Sequence, residues 1–95
     1  MNSRTTARFR AAFEDLPPGV RDRARAAYRL FRTDPSHPSL RFKLVHPTRP
    51  IYSVRIGLGY RALGVRDADT IVWFWIGSHG DYDRLLANVP GTIVP

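Results

Sequence analysis

IYSVRIGLGYRALGV, residues 51–65, is the stretch of sequence that decides the fold. Two runs rich in β-branched and aromatic residues flank the loop 57–59, and this pattern predicts a β-hairpin in which Gly59 supplies the positive φ of a three-residue loop. A loop of this length places Arg55 on the first arm directly opposite Arg61 on the second, with both side chains on one face. A two-residue loop would instead send the two arginines to opposite faces.

The paired arginines predict a site for an anion. Like charges that face each other across two strands are unfavourable by themselves. A bound phosphate reverses that effect, because guanidinium groups match its oxygens in a bidentate geometry. The opposite face of the hairpin carries apolar side chains that are expected to pack on helices, namely Val54, Ile56, Tyr60 and Ala62.

The chain after the hairpin predicts one more strand and a short helix. Residues 71–76 are apolar at every position, so a strand over 70–76 is expected to be central and covered on both faces. Ser78 and Asp81 have the spacing of a helix cap, and a helix is predicted over 79–87.

The chain before the hairpin predicts two helices and a strand. Apolar residues recur at helical spacing within 5–15, and Pro17 ends that helix while Pro18 starts the next one. The second helix is expected to bury a stripe made of Val20, Ala24, Ala27, Tyr28 and Phe31. Alternating apolar and basic residues then predict a half-buried strand over 40–45. Residues 1–4 are expected to be frayed or to add a short edge strand.

These elements predict an α+β domain, with an N-terminal helical hairpin packed on one face of a mainly antiparallel, curved, four-stranded sheet and a short C-terminal helix. A chain of 95 residues has the size of one domain, so 1–95 is interpreted as a single unit with a loose tail at 88–95. No apolar run approaches the length of a membrane helix, and the N-terminus lacks the apolar core of a signal peptide. We therefore expect a soluble cytoplasmic protein with no membrane partner.

The charge is distributed unevenly along the chain. The net charge is +7, and residues 35–66 carry six cationic residues and no acidic residue. Such a segment favours a polyanionic partner, either nucleic acid or an acidic protein. A solvated basic surface is the alternative, and it agrees with the 14 arginines to one lysine but not with the lack of counter-charges. Without cysteine, and with three scattered histidines, the chain predicts no metal and no cofactor.

His79 stands where the last predicted strand ends, and Tyr82 follows three residues later on the same side of the helix. A histidine at this place can exchange protons near neutral pH as a general acid or base. The structural alternative is a helix-start residue that hydrogen-bonds the cap, and the residues by themselves favour this alternative.

Three segments together resemble the RelE/ParE superfamily of bacterial type II toxins, namely HPSLRFKLV, IYSVRIGLGYRALGV and IVWFWIGSHGDYDRLL. The likeness spans about residues 5–87. Its most specific part is a Tyr-Arg after the turn together with a Gly-Ser-His near the end. The resemblance implies a fold of two helices packed on a curved antiparallel sheet.

The resemblance implies one of two activities. RelE-like members cleave messenger RNA in the ribosomal A site without a metal, with cations on the scissile phosphate and the 2′-hydroxyl as nucleophile. ParE-like members instead poison DNA gyrase and have no nuclease chemistry. Members of both kinds are neutralised by a small cognate antitoxin, commonly through a helix or strand laid over the sheet and basic cleft. The nuclease is the leading expectation, with gyrase inhibition or an inactive member that only binds its partner as the alternatives.

The resemblance also implies roles for four single residues. Arg61 matches the arginine most often tied to phosphate stabilisation, and Arg55 matches a basic position on the first arm of the hairpin. His79 matches a position occupied by His or Arg in nucleolytic members, where it would act as acid or base. Tyr82 lies near the place of their late aromatic residue. All four are therefore candidate catalytic residues.

The chain departs from the family pattern on the first arm of the hairpin. Some RelE members have two lysines there, and this chain has Ile51 and Ser53. Arg41 and Lys43 on the neighbouring predicted strand are the candidate substitutes. They are expected to follow the RNA backbone, a salt-sensitive contribution that carries no sequence information.

Overall fold

The computed structural model describes residues 1–88. Its elements are β1 (Asn2–Thr5), α1 (Ala7–Glu14), α2 (Pro18–Thr33), a 3₁₀ helix (Pro38–Leu40), β2 (Lys43–Leu44), β3 (Ile51–Ile56), β4 (Tyr60–Asp67), β5 (Thr70–Ser78) and α3 (His79–Asn88). The α+β class is confirmed. The tail predicted at 88–95 lies outside the described residues beyond the end of α3. None of the helices within 1–88 is long and apolar enough to cross a membrane.

The sheet has five strands in the order β1-β5-β4-β3-β2, one more than predicted. The additional strand is β1, which confirms the edge strand that was one of the two alternatives for residues 1–4. It pairs parallel to β5, with Ser3 beside Ile71, whereas the other strands pair antiparallel. β5 buries apolar side chains, so an open edge there would leave unpaired backbone groups beside the core. The N-terminal residues satisfy that edge, and the sheet is therefore mixed.

The central hairpin has the predicted register. Arg55 lies opposite Arg61, and the loop between β3 and β4 has three residues. The positive φ falls on Gly57, at 58°, and the prediction of Gly59 for that position is wrong. The chain turns at once on leaving β3, which presents the Gly57 carbonyl oxygen to Arg55 Nε at 2.9 Å. The positive φ requires glycine at this position, and a Cβ at Gly57 would also lie 2.9 Å from Arg23 Cδ and push the Arg23 side chain aside.

The strand predicted over 40–45 is wrong for most of its length, because only Lys43–Leu44 form β2. Local hydrogen bonds outweigh the alternating pattern here, since the His37 side chain caps the 3₁₀ helix by accepting from the Ser39 amide at 3.2 Å. Arg41 ends that helix with a left-handed φ of 45°. The resulting change of direction leaves the Leu44 side chain 48% exposed rather than buried.

The helices α1 and α2 cover one face of the sheet. α1 begins two residues into the predicted range because Thr6 caps it, with Thr6 Oγ1 accepting from the Phe9 amide at 3.1 Å. The helix-side core consists of Ala24, Phe31, Leu40, Val54, Ile56, Ala62, Ile71, Trp73 and Ile76. The predicted stripe of α2 is correct for Val20, Ala24 and Phe31, whereas Tyr28 remains 43% exposed at the outer edge of the helix.

The helix α3 covers the other face of the sheet. A second core lies between α3 and β4–β5, and it is built on Val45, Leu63 and Tyr82. The strand β5 is therefore covered on both faces, as its uninterrupted apolar sequence predicted. The predicted helix cap is present too, since the Asp81 amide donates to Ser78 Oγ at 3.1 Å.

Candidate anion-binding and catalytic site

A basic pocket of about 240 Å³ opens at the end of the sheet where β3 turns into β4. Its lining consists of Arg41, Arg55, Leu58, Tyr60, Arg61 and His79. Four of the predicted site residues, which lie in three separate segments of the sequence, thus meet in one pocket. They are Arg41, Arg55, Arg61 and His79. The other two nominated residues, Lys43 and Tyr82, lie beside and beneath this basic pocket.

Arg61 is held by three neighbours. Its Nε donates to His79 Nδ1 at 3.4 Å, and one Nη nitrogen donates to Ser53 Oγ at 3.3 Å. Its guanidinium carbon also lies 5.3 Å from the centre of the Tyr82 ring, a cation–π distance. These contacts orient the guanidinium group before any ligand arrives, and they leave the second Nη nitrogen available to bind an anion.

His79 occupies the first position of α3 and connects Arg61 to a carboxylate. Its Nε2 lies 3.5 Å from Asp83 Oδ2, one turn further along the helix. A guanidinium Nε–H can only donate, so the bond from Arg61 requires an unprotonated Nδ1 on the histidine. The ring proton then resides on Nε2, facing Asp83. His79 therefore presents a basic nitrogen on the pocket side and a carboxylate behind it.

The backbone of His79 fixes the ring relative to the hairpin. The His79 amide donates to the Gly59 carbonyl oxygen at 2.7 Å, which ties the start of α3 to the β3–β4 loop. His79 is therefore a helix-start residue that makes a hydrogen bond there, and its role as an acid or base stays a prediction.

Arg55 and Arg41 complete the ring of cations around the basic pocket. Arg55 lies across the strands from Arg61, and its Nε is bound to the Gly57 carbonyl oxygen. Arg41 reaches the pocket from the end of the 3₁₀ helix rather than from a strand. Three of the six cations that the charge pattern singled out thus line one pocket, where an anion would relieve their mutual repulsion.

Lys43 adds a further positive charge beside Arg61 and Arg41. It is half-buried and lies directly across β2–β3 from Ser53. Burial lowers the pKa of the Lys43 ammonium, and the charges of Arg61 and Arg41 lower this pKa further. The ammonium group consequently gives up its proton more readily than that of an ordinary lysine.

Tyr82 supports the basic pocket from below. Its side chain is only 2% exposed, and among residues 1–88 its buried hydroxyl has no hydrogen-bond partner. The ring stacks beside His79, with 6.0 Å between ring centres, and also contacts Trp75. A catalytic role for Tyr82 stays a prediction, and in this conformation its contribution is to position Arg61 and His79.

Sequence reasoning missed three residues of the site. Asp83 carried a usable signal, because position i+4 on a predicted helix places it next to His79. Ser53 shares the strand face of Arg55 and was noticed only as a departure from a family pattern. Leu58 was treated as part of a loop, and only the fold brings it to the rim of the basic pocket.

A second cavity, the apolar groove, lies on the helical face. It measures about 460 Å³ and opens between α1, which packs on β5, and α2, which packs on β3. Its floor belongs to the helix-side core and includes Ala27, Ala62 and Ile76, and its charged lining consists of Arg10, Glu14, Arg25 and Arg29. The two cavities therefore lie on opposite sides of the sheet.

The chain matches the ParE-like toxin domain over residues 18–84, which is most of its length and includes both the basic pocket and α2. The chain belongs to the ParE-like toxin family. The resemblance to the RelE/ParE superfamily is thereby confirmed. A comparison with curated proteins gave no significant match.

Solved structures of related toxins have the same fold. The RelB-RelE antitoxin-toxin complex from Methanococcus jannaschii aligns with a TM-score of 0.69 and 19% identity, covering 85% of this chain and 96% of that chain. The intact RelBE toxin-antitoxin complex from E. coli aligns with a TM-score of 0.61 and 13% identity, covering 80% and 93%. The toxin-antitoxin complex RelBE2 from Mycobacterium tuberculosis gives a TM-score of 0.56 and 29% identity, covering 82% and 96%.

Proposed function

We propose that this ParE-like toxin is the toxic component of a type II toxin-antitoxin system and that it cleaves messenger RNA on the ribosome. One observation carries the proposal, namely the contact of Arg61 with His79 Nδ1 inside a pocket that Arg55 and Arg41 also line. Oriented cations next to a basic nitrogen are what cleavage of a phosphodiester without a metal requires.

The reaction is an internal transfer in the RNA backbone. The 2′-oxygen attacks the neighbouring phosphorus, the bond from phosphorus to the 5′-oxygen breaks, and the products are a 2′,3′-cyclic phosphate and a 5′-hydroxyl. As the Arg61 Nε–H moves from His79 Nδ1 to the phosphate, Nδ1 takes the proton of the 2′-hydroxyl, and Asp83 stabilises the imidazolium that results. Lys43 gives a proton to the leaving 5′-oxygen, a role that suits its lowered pKa.

Arg55 and Arg61 stabilise the charge that develops on the phosphate oxygens. A donor placed against such charge contributes about a hundredfold to a thousandfold in rate when it is oriented in advance. Arg61 is oriented by Ser53, His79 and Tyr82, so we assign it the larger share. Arg41 follows the RNA backbone and contributes mainly to binding.

The test is expression of the wild-type chain and of the Arg61→Ala variant in bacteria, with mapping of the 5′ ends of cellular messages. The wild type should arrest growth and generate new ends within translated frames. Arg61→Ala should do neither, while it keeps a native circular dichroism spectrum and binds the antitoxin. Intact messages during wild-type growth arrest would refute the nuclease, and loss of folding in the variant would make Arg61 structural.

A second candidate function is inhibition of DNA gyrase without nuclease chemistry. The match to the ParE-like toxin domain favours it, and so does the burial of the Tyr82 hydroxyl away from the basic pocket. The same expression experiment separates the two functions. Gyrase-linked breaks in DNA, together with intact messages, would identify this second function.

The antitoxin is the proposed protein partner, in agreement with the complexes that related toxins form. It docks in the apolar groove through a segment that carries apolar side chains between carboxylates. The apolar floor receives the former, and Arg10, Arg25 and Arg29 at the rim attract the latter. This docking place is separate from Arg61, which explains why Arg61→Ala should keep its antitoxin.

A further inference from the structure

Leu58 is a large apolar side chain that is almost fully exposed to solvent. At the tip of the β3–β4 loop it is 89% exposed, and it also lines the basic pocket. Residues at hairpin tips are normally polar or glycine, since an apolar side chain there gains nothing from folding. What distinguishes Leu58 from other exposed apolar side chains is its place on the rim of the basic pocket, where a bound ligand can reach it.

The loop that carries Leu58 is held from three directions. Arg55 Nε binds the carbonyl oxygen of Gly57 at 2.9 Å, and the His79 amide binds the carbonyl oxygen of Gly59 at 2.7 Å. The Arg23 side chain packs on Gly57 from α2. The two residues on either side of Leu58 are thus fixed to the walls of the basic pocket, and the leucine projects from a defined place on its rim.

We propose that Leu58 packs against the base of a nucleotide next to the scissile phosphate in single-stranded RNA. This inference rests on the proposed function, because the phosphate in question is the one bound by Arg61. Phosphate and ribose are polar, so the flat face of an unstacked base is the part of RNA that matches a leucine. Apolar side chains of this kind are used as wedges between bases in other nucleic-acid complexes.

The charges around Leu58 favour RNA over a protein as its partner. Arg41, Arg55 and Arg61 line the same pocket, so a ligand that reaches Leu58 meets three guanidinium groups. A nucleotide satisfies both kinds of contact within one unit, with its phosphate on the arginines and its base on the leucine. Leu58 would thereby add base-dependent affinity to a site whose other contacts do not read bases.

The experiment compares two fluorescent probes, a ten-nucleotide single-stranded RNA and an abasic oligonucleotide with the same number of phosphates. Leu58→Ser in the full chain should weaken binding of the RNA about fivefold to tenfold and leave binding of the abasic probe unchanged. Leu58→Phe should retain the preference for RNA, because an aromatic ring also stacks on bases. Val65→Thr is the matched control, since Val65 is an exposed apolar residue of β4 that lies outside the basic pocket.

Three outcomes would overturn the inference. The first is equal binding of the two probes by the wild type, and the second is an equal loss for both probes in Leu58→Ser. The third is a loss of antitoxin binding in Leu58→Ser with RNA binding unchanged, which would make Leu58 a protein contact. Message cleavage by the wild type is measured separately, so a probe preference without cleavage would refute the nuclease and leave the base contact in place.

Discussion

At the level of single residues, the chemistry of the basic pocket depends on which atoms His79 directs to its two neighbours. Nδ1 faces Arg61 and Nε2 faces Asp83. A carboxylate behind an imidazole sets its tautomer and stabilises the protonated ring, as in enzymes that use histidine as a base. In the proposed reaction Asp83 is therefore a positioning residue whose effect reaches the RNA through His79.

The Asp83→Asn variant tests this arrangement. We expect cleavage to fall about tenfold or more, because the amide no longer stabilises the imidazolium, while His79→Ala should remove most of the activity. The double variant should be no worse than His79→Ala alone, since both changes act on one unit. Rates of cleavage in a translation extract measure all three variants across pH. Additive losses, or a pH profile unchanged in Asp83→Asn, would contradict the coupling.

Lys43 is expected to affect both the stability of the fold and the binding of RNA. Its pKa is lowered in the folded chain, so the charged lysine destabilises the fold at every pH below that pKa, and the effect disappears above the ordinary value of 10.5. Lys43→Met should therefore raise the melting temperature at neutral pH by on the order of a few degrees. The gain should shrink as the pH rises through the titration range of lysine. Calorimetry at pH 7 and at pH 10 measures the difference.

The same variant should bind RNA less well, since it lacks one cation that an anion would attract. Arg49→Met is the control, because Arg49 is exposed and does not line the basic pocket. If Arg49→Met raises the melting temperature as much as Lys43→Met does, the gain comes from the lower total charge. It would then not come from the position of Lys43 beside Arg61 and Arg41.

At the level of elements, the β3–β4 hairpin is the part of the structure on which the site is assembled. Its register sets Arg55 across from Arg61, and its loop carries Leu58. The carbonyl oxygen of Gly59 accepts a hydrogen bond from the His79 amide of α3, and the Arg23 side chain of α2 packs on Gly57. A change at the loop therefore acts on the strands and on the position of His79 together.

Gly57 and Gly59 allow a matched test of the loop. Gly57→Ala should lower the free energy of unfolding by about 1–2 kcal/mol, because the left-handed conformation is costly for alanine and Arg23 must move. Gly59→Ala meets no atom within 4 Å and needs no positive φ, so it should be neutral or slightly stabilising. Urea denaturation measures both. Equal losses would contradict the assignment of the turn to Gly57.

At the level of the whole molecule, the sheet separates two surfaces of different chemistry, one basic and one mainly apolar. The basic pocket lies at the hairpin end near α3, and the apolar groove lies between α1 and α2. We expect the pocket to serve toxicity and the groove to serve the antitoxin. Variants on one surface should therefore leave the function of the other surface unchanged.

Two neighbouring alanines of α2 test the separation. Ala27 lines the apolar groove, whereas Ala26 is exposed outside it. Ala27→Glu should weaken antitoxin binding about tenfold or more, because a carboxylate is placed on apolar surface and opposes an acidic partner. Ala26→Glu should bind normally, and both variants should still arrest growth without antitoxin. Isothermal titration with the purified antitoxin measures the affinity of each variant. Equal affinities of Ala27→Glu and Ala26→Glu would show that the antitoxin does not bind in the apolar groove.

Local pattern alone was enough to predict the α+β class, the helices, the hairpin register and the pairing of Arg55 with Arg61. Those features depend on side-chain periodicity and loop length, which act between residues close in the chain. The same pattern failed at 40–45, where capping by His37 formed a 3₁₀ helix and redirected Arg41 towards the basic pocket.

The tertiary structure decided which of the nominated residues form a site. It placed Tyr82 beneath the basic pocket, paired β1 parallel to β5 and set Leu58 on the pocket rim. These outcomes depend on contacts between segments far apart in the chain and on how each side chain is buried. Sequence spacing carries no record of either, so the sequence determined the candidate residues and the fold determined their arrangement.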